Sequence, residues 1–187
     1  MSVQEESFQG SMTKAEGVSA IRARSISADD LQRIYLDEIY AYASRRLRRR
    51  EDAEDATADT FAAAFSHIKR LRGRDPRLWL LGIARRKVID IYRRHKRRPE
   101  VPLHEIEGLS GLSDDDRDDV AEVRRLVLAL PADQREVLML QHIEGFSQSE
   151  IAAIMGKSKA AINSLQQRAR ANVLRDGKGF FLTEVQL

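Results

Sequence analysis

Residues 147–170 read SQSEIAAIMGKSKAAINSLQQRAR. Ser147 followed three residues later by Glu150 is a capping box, so a short helix opens here and runs through Met155. Gly156 breaks it, Ser158 supplies a second cap, and Ile162, Leu165, Ala169 and Val173 recur at helical spacing. A short capped helix, a glycine-containing turn and a second capped amphipathic helix form the helix-turn-helix plan. The plan needs small residues where its helices cross, a place for Ala152 and Ala153, and a residue that lets the chain reverse, a place for Gly156. With Ile162, Leu165 and Ala169 turned inward, the outside falls to Lys159, Ala160, Asn163, Ser164, Gln166, Gln167, Arg168 and Arg170. Asn and Gln pair bidentately with adenine, and Arg with guanine or phosphate. A plain helical hairpin with a polar face has the same periodicity.

Upstream, Val123, Leu126, Val127 and Leu130 form one stripe of a helix that begins near Val120. Leu130-Pro131 ends it and starts the next, because proline suits a first helical turn. Val137, Leu138, Leu140 and Ile143 follow, and Gly145 stops that helix. The unit therefore spans 120–176, with a tail at 177–187 that holds Phe180-Phe181-Leu182. Before it, residues 99–119 contain two Pro, two Gly and eight acidic residues against one Arg, and have no apolar period. That composition describes a flexible acidic linker.

A first unit occupies 27–98. Ser27 with Asp30 offers a cap, and Leu31, Ile34, Tyr35, Ile39, Tyr42 and Leu47 follow at helical spacing. A second helix, from about Glu51 to Leu71, carries Ala53, Ala56, Phe61, Ala64, Phe65 and Ile68, and Gly73 and Pro76 break it. The third starts at Pro76 or Arg77 and carries Leu78, Leu81, Ala84, Val88 and Ile91, with Gly82 alone in its interior. It ends in the basic run Arg93–Arg98. Residues 1–26 are polar, without a sustained period, and read as a mobile extension.

Composition agrees with this all-α reading, two small helical domains joined by a flexible linker. The 187 residues hold 10 Gly and 4 Pro, and aromatics are 6%, too few for the turns and strands of a β sandwich or barrel. The absence of Cys excludes disulfides, thiolate metal sites and a cysteine nucleophile. No apolar run approaches the ~20 residues of a membrane span, and no signal-peptide apolar region opens the chain, so the expectation is a cytoplasmic protein without membrane insertion. His67, His95, His104 and His142 show no ligand spacing, and no nucleophile elbow, P-loop or dinucleotide fingerprint occurs. No catalytic set, metal or cofactor is expected.

The net charge of +3 conceals a segregation. Lys69–Arg98 holds 13 basic and 2 acidic residues, and the linker that follows has a net charge of −7. Concentrated Lys and Arg are the footprint of phosphate binding, although charge runs are often merely solvated. Arg72, Arg74 and Arg77 surround the Gly73–Pro76 break, and Arg85, Arg86, Arg93 and Arg94 follow on the third helix. Trp79, the single Trp, is either a platform for an unstacked base or a core residue. Glu51, Asp52, Glu54, Asp55 and Asp59 spread around the second helix. They either complement its N-terminal dipole or form a docking face for a basic partner.

Both units, in this order, resemble the extracytoplasmic-function (group IV) sigma factors of bacterial RNA polymerase. The first is similar to sigma region 2 through Tyr40-Ala41-Tyr42, Asp52-Ala53-Glu54-Asp55, Thr60-Phe61, Trp79-Leu80-Leu81-Gly82-Ile83-Ala84-Arg85 and Asp90 with Arg93-Arg94. The second is similar to region 4 through Leu130-Pro131, Gln134-Arg135-Glu136-Val137-Leu138, Glu144-Gly145-Phe146-Ser147, Glu150-Ile151-Ala152, Met155-Gly156 and Arg168-Ala169-Arg170. The chain departs from the family's usual residues at Ala58-Asp59, Arg86, Asn163 and Leu165. The resemblance implies a DNA-binding transcription initiation factor and no enzyme. Its partners would be core RNA polymerase, through the beta and beta-prime subunits, and promoter DNA, with an anti-sigma factor as a further partner. It places polymerase docking on Asp52, Glu54, Asp55, Asp59 and Phe61. Recognition and opening of the minus-ten element fall to Arg72, Arg74, Arg77, Trp79, Arg85, Arg86, Arg93 and Arg94. Binding of the minus-35 element falls to Ser158, Lys159, Asn163, Ser164, Gln167 and Arg168. A helix-turn-helix regulator that acts without polymerase and a nucleic-acid-processing enzyme are the competing readings. The first would not bind core polymerase, and the second lacks a catalytic set.

Overall fold

A computed structural model describes residues 26–97 and 118–177. The N-terminal extension, nearly all of the acidic linker, Arg98 and the tail beyond Gly177 lie outside the described residues. Seven α-helices, and no strand, occur among those described.

Helix α1 (Ala28–Ser44) is capped by Ser27, whose hydroxyl accepts the Asp30 N–H. It buries Leu31, Tyr35, Ile39 and Tyr42, the stripe that its spacing predicts. Helix α2 (Arg50–Ser66) has no side-chain cap, and Glu51 and Asp52 in its first turn complement the positive end of the helix. Its inward face is Ala53, Ala56 and Ala64 with Thr57 and Thr60, whose hydroxyls donate back to the carbonyls of Ala53 and Ala56 at 2.7 and 2.6 Å. Small side chains with internally satisfied hydroxyls let α1 and α3 pack closely on both sides.

The sequence predicts that α2 continues to Leu71, whereas the helix stops at Ser66. His67 leaves helical geometry at φ −123°, and a single 3-10 turn covers Ile68–Leu71. Gly73 then takes a left-handed φ of 71°, a conformation that side chains resist. Asp75 caps helix α3 (Pro76–Lys96) by accepting the N–H groups of Arg77 and Leu78 at 2.9 and 3.2 Å.

The second unit contains α4 (Asp118–Ala129), α5 (Ala132–Leu138), α6 (Gln148–Met155) and α7 (Lys159–Asp176). After α5 the chain widens into a π turn over Met139–Ile143, closed by the Glu144 N–H on the Met139 carbonyl at 3.2 Å. Ser147 and Glu150 form the capping box of α6, Gly156 ends it at φ 64°, and Ser158 caps α7.

Two separate small cores are what the linker leads one to expect. The buried residues instead form one continuous core running from Leu31 through Leu80, Leu81 and Ala84 to Leu140, Ile151, Ile154 and Ile162. Helix α3 packs directly on α6. The crossing is close because residue 82 is glycine: a Cβ there would lie 3.3 Å from the Ile154 carbonyl oxygen.

Candidate nucleic-acid interface

On α7, Ser158, Lys159, Asn163, Ser164, Gln167 and Arg168 are all exposed, while Ile162 and Ala169 are fully buried. One polar face of a capped helix is thus presented at the surface. Arg168 Nε donates to the Ser164 carbonyl at 3.1 Å, which lays the guanidinium along the helix. Gln166 departs from the sequence expectation. It is 7% exposed, with its amide oxygen accepting from Gln148 at 2.9 Å and its nitrogen donating to Gln141 at 3.0 Å. It therefore ties α7 to α6 and to the π turn. Ala153 also departs, being exposed, so that Ala152 alone lies at the helix crossing.

The basic candidates of the first unit fall into three settings. Arg72, Arg74, Arg86, Arg93 and Arg94 are exposed. Arg77 is engaged: its Nε donates to Glu38 at 2.6 Å, and its guanidinium lies 4.5 Å from the centre of the Phe146 ring in the second unit. Arg85 is engaged too, donating to Asp133 of α5 at 2.7 Å. Arg74, Arg85, Arg86 and Trp79 line a cleft of about 910 Å³, whose opposite wall is Ala153, Ile154, Met155 and Gly156 of the helix-turn-helix. Trp79 is half-buried, with one part in the core and another at the cleft.

The acidic candidates on α2 also divide. Asp52 is mostly buried and pairs with His95 at 2.9 Å, joining the start of α2 to the end of α3. With the partners 43 positions apart in sequence, no local spacing reveals this pair. Glu54 is tied to Arg50 at 2.7 Å, and Asp59 lies 3.7 Å from Lys87. Asp55 is exposed and Phe61 is 4% exposed. Phe61 and Phe65, with ring centres 6.0 Å apart, line an apolar groove of about 650 Å³ with Leu36 and Tyr40. Asp37 and Glu54 stand at the same groove. Among the described residues no group of acidic or histidine side chains is placed to hold a metal ion, and no helix is long and apolar enough to cross a membrane.

A buried network of charge joins the two units. Arg46 donates through Nε and Nη2 to the two oxygens of Glu136 at 2.8 and 3.1 Å, and through Nη1 to Glu144 at 2.7 Å. The Tyr42 hydroxyl donates to Glu136 at 2.7 Å, and the Arg46 guanidinium stacks 3.6 Å from the centre of the Tyr42 ring. Burial alone would raise the Glu136 carboxyl, but the charge and hydrogen bonds of Arg46 outweigh it and hold the group below its ordinary range. Burial, with the nearby carboxylates, pushes the Tyr42 hydroxyl well up.

A helix-turn-helix joined to a three-helix unit with a basic helix and an apolar groove defines a helical DNA-binding protein. The family model for sigma-70 region 2 matches residues 31–98, and that for sigma-70 region 4 matches residues 121–173. The chain is 33% identical over 165 residues to the extracytoplasmic-function RNA polymerase sigma factor BldN of Streptomyces coelicolor, a match covering 82% of this chain and 62% of that protein. It is 31% identical over 158 residues to the RNA polymerase sigma factor YlaC of Bacillus subtilis, covering 80% of this chain and 91% of the relative. Among solved structures, the sigma factor RpoE of Bartonella quintana, in complex with the anti-sigma factor NepR, superposes with a TM-score of 0.59 at 25% identity. That match covers 79% of this chain and 94% of the other. The chain belongs to the sigma-70 family of RNA polymerase sigma factors, in its extracytoplasmic-function group.

Proposed function

We propose that this chain directs core RNA polymerase to promoters through a fixed division of labour between its two units. The exposed face of α7 enters the major groove of the minus-35 element, with Lys159, Asn163, Ser164, Gln167 and Arg168 nearest the DNA. The basic end of α3, with Arg93 and Arg94, and the cleft bearing Trp79 take the unpaired strand of the minus-ten element. The α1–α2 groove of Leu36, Tyr40, Phe61 and Phe65 receives the polymerase, with Asp55 and Glu54 drawing in a basic surface. In this reading Asp52 supports α2 through His95 and does not itself face the partner.

The observation that carries this reading is the partition of α7, in which every candidate reader is exposed while Ile162 and Ala169 are fully buried and Leu165 is half-buried. Opening DNA without nucleotide hydrolysis requires that the unpaired strand bind better than the duplex, because extracting a base costs a few kcal/mol. Protein and polymerase together recover that cost, and the chain needs no catalytic group or cofactor of its own. It works in the cytoplasm, where polymerase and promoter are. An anti-sigma factor belongs to the same proposal as a regulatory partner, on the strength of the complex formed by the solved relative.

Run-off transcription with core polymerase over a pool of promoter fragments tests the reading. Discrete transcripts that depend on the chain support it, and failure to bind core polymerase ends it. Within that assay, Arg93→Ala with Arg94→Ala is expected to slow promoter opening, read as permanganate reactivity of unpaired thymines, while core binding persists. Normal opening in the double variant removes these two residues from the strand-binding set.

A further inference from the structure

Three glutamines and an asparagine form a relay of side-chain amides that runs from the π turn to the exposed face of α7. Gln166, buried on α7, donates from Nε2 to the Gln141 oxygen at 3.0 Å. Its own oxygen accepts from Nε2 of Gln148, the first residue of α6, at 2.9 Å. The same Nε2 lies 3.5 Å from Oδ1 of Asn163, one of the exposed residues assigned above to the minus-35 element. Asn163 and Gln166 are neighbours on one face of α7. Gln148 thus stands between an anchored partner and a candidate reader.

A primary amide has one end that accepts and one that donates. The NH2 group of Gln148 offers one hydrogen to each neighbour, so Gln166 and Asn163 both turn their oxygens toward it. Gln166 is held in that sense by its second bond, to Gln141. The outer contact is the longest of the three, and it is the fixed position of Gln148 that gives it direction. Asn163 is left with its Nδ2 hydrogens to offer. An asparagine reads adenine by using both ends of its amide at once. With its oxygen committed to Gln148, Asn163 presents a donor alone. It then suits acceptors on a major-groove edge, above all O6 and N7 of guanine, and disfavours cytosine, which shows only the N4 donor.

We propose that Gln148 is a positioning residue for base recognition, which sets the polarity of the Asn163 amide and makes Asn163 a reader of base acceptors, guanine first. The proposal rests on the reading in which α7 enters the minus-35 major groove. Gln148 itself touches no base in this scheme. Asn163 is one of the positions at which the chain departs from its family's usual residues, and the relay states what that replacement reads.

Gln148→Glu turns the relay round. A carboxylate only accepts, so Asn163 offers it Nδ2 and shows its oxygen to the base, which suits the N4 donor of cytosine. The substitution is compatible with folding, because residue 148 is exposed and an acid suits the first turn of a helix. Gln148→Ala removes the constraint and frees Asn163 to engage adenine with both ends. For the test, the full chain assembled with core polymerase is bound to a promoter library randomised across the minus-35 element, and the bound DNA is sequenced. The wild type should prefer guanine to cytosine at one base pair by about fivefold or more, and Asn163→Ala should abolish that preference. Gln148→Glu should reverse it at the same base pair, and Gln148→Ala should shift it toward adenine, both at unchanged helical circular dichroism. A merely structural Gln148 would weaken binding to all sequences alike and reverse nothing. If Asn163→Ala loses the preference while Gln148→Glu keeps it, the relay is overturned and the minus-35 reading stands. A wild type that prefers cytosine there overturns the polarity assigned to Asn163. If Asn163→Ala alters no base pair, the placement of Asn163 in the groove falls, and the relay with it.

Discussion

The carbonyl oxygen of Ile154 lies 3.3 Å from the position a Cβ on Gly82 would occupy, and it is the one atom of another element that such a Cβ would meet. A helix-interior glycine costs about 1 kcal/mol relative to alanine, so its presence in α3 calls for a packing reason. The reason is a backbone of the other unit. Gly82→Val is expected to force α3 and α6 apart while leaving the first unit folded, because no neighbour within that unit opposes the side chain. Protein carrying donor and acceptor dyes at Ser66→Cys and Ser149→Cys, exposed positions on α2 and α6, should shift toward low energy transfer, with helix content preserved. A valine variant in which the two units stay packed would show that α6 can move aside at little cost.

Adjacent glutamines on α7 should give opposite phenotypes. Gln166 is buried between Gln141 and Gln148, and Gln166→Ala removes the amide that bridges them, a loss of about 1–3 kcal/mol in stability. Gln167 is exposed, and Gln167→Ala should change stability by less than about 0.5 kcal/mol. Its effect should appear in DNA selection, where one bidentate contact discriminates by roughly 1–3 kcal/mol at a single base pair. Thermal denaturation and a promoter-variant binding series separate the two. Loss of base preference in the Gln166 variant at unchanged stability would reverse the assignment.

The local parts of this molecule were legible in the sequence because capping and periodicity are local physics. Ser27, Ser147 and Ser158 cap where their spacing says they should, and Gly73, Gly145 and Gly156 take the left-handed turns. What was not legible depends on contacts distant in sequence. Arg46 meets Glu136 across 90 residues, and Asp52 meets His95 across 43, and neither pair leaves a mark in a window of one or two helical turns. Gln166 was misplaced because its position borders the apolar stripe, where polarity and burial conflict and only the neighbouring amides decide. The lone Gly82 was the one visible sign of the interdomain contact.

The α1–α2 groove makes a prediction that separates polymerase docking from the integrity of α2. Leu36 is 40% exposed at the groove and takes no part in the core. Leu36→Glu places a charge against Phe61 and Phe65 and should weaken core polymerase binding at least tenfold, about 1.4 kcal/mol, with no change in melting temperature. Asp52→Asn weakens the pair with His95 that joins α2 to α3, so it should lower thermal stability more than it lowers polymerase affinity. Titration of each variant with core polymerase, followed by fluorescence anisotropy, checks both. If Leu36→Glu binds normally, the polymerase docks on another face.

The Arg46–Glu136–Glu144 cluster also predicts how the packing of the two units responds to acid. Glu136 faces Arg46 and the Tyr42 hydroxyl from α1 and the end of α1, with Arg85 of α3 nearby, and Glu144 shares the same guanidinium with Arg45 alongside. Burial works against the Glu136 carboxylate, yet its cationic and hydrogen-bonding partners lower its pKa where the two units are packed together. A carboxyl whose pKa is depressed in one state binds fewer protons there, so that state is favoured above the ordinary glutamate value and loses the advantage as pH falls through the depressed one. The packing of the two units should therefore be constant across neutral pH and weaken only with acidification below the ordinary glutamate value of about 4.5. In Glu136→Gln the same titration should be flatter, since the carboxylate whose pKa the packing lowers is gone. Energy transfer followed from neutral pH into acid, with circular dichroism in parallel to mark unfolding, measures both curves. If the two proteins lose energy transfer along the same curve, Glu136 does not hold the two units together.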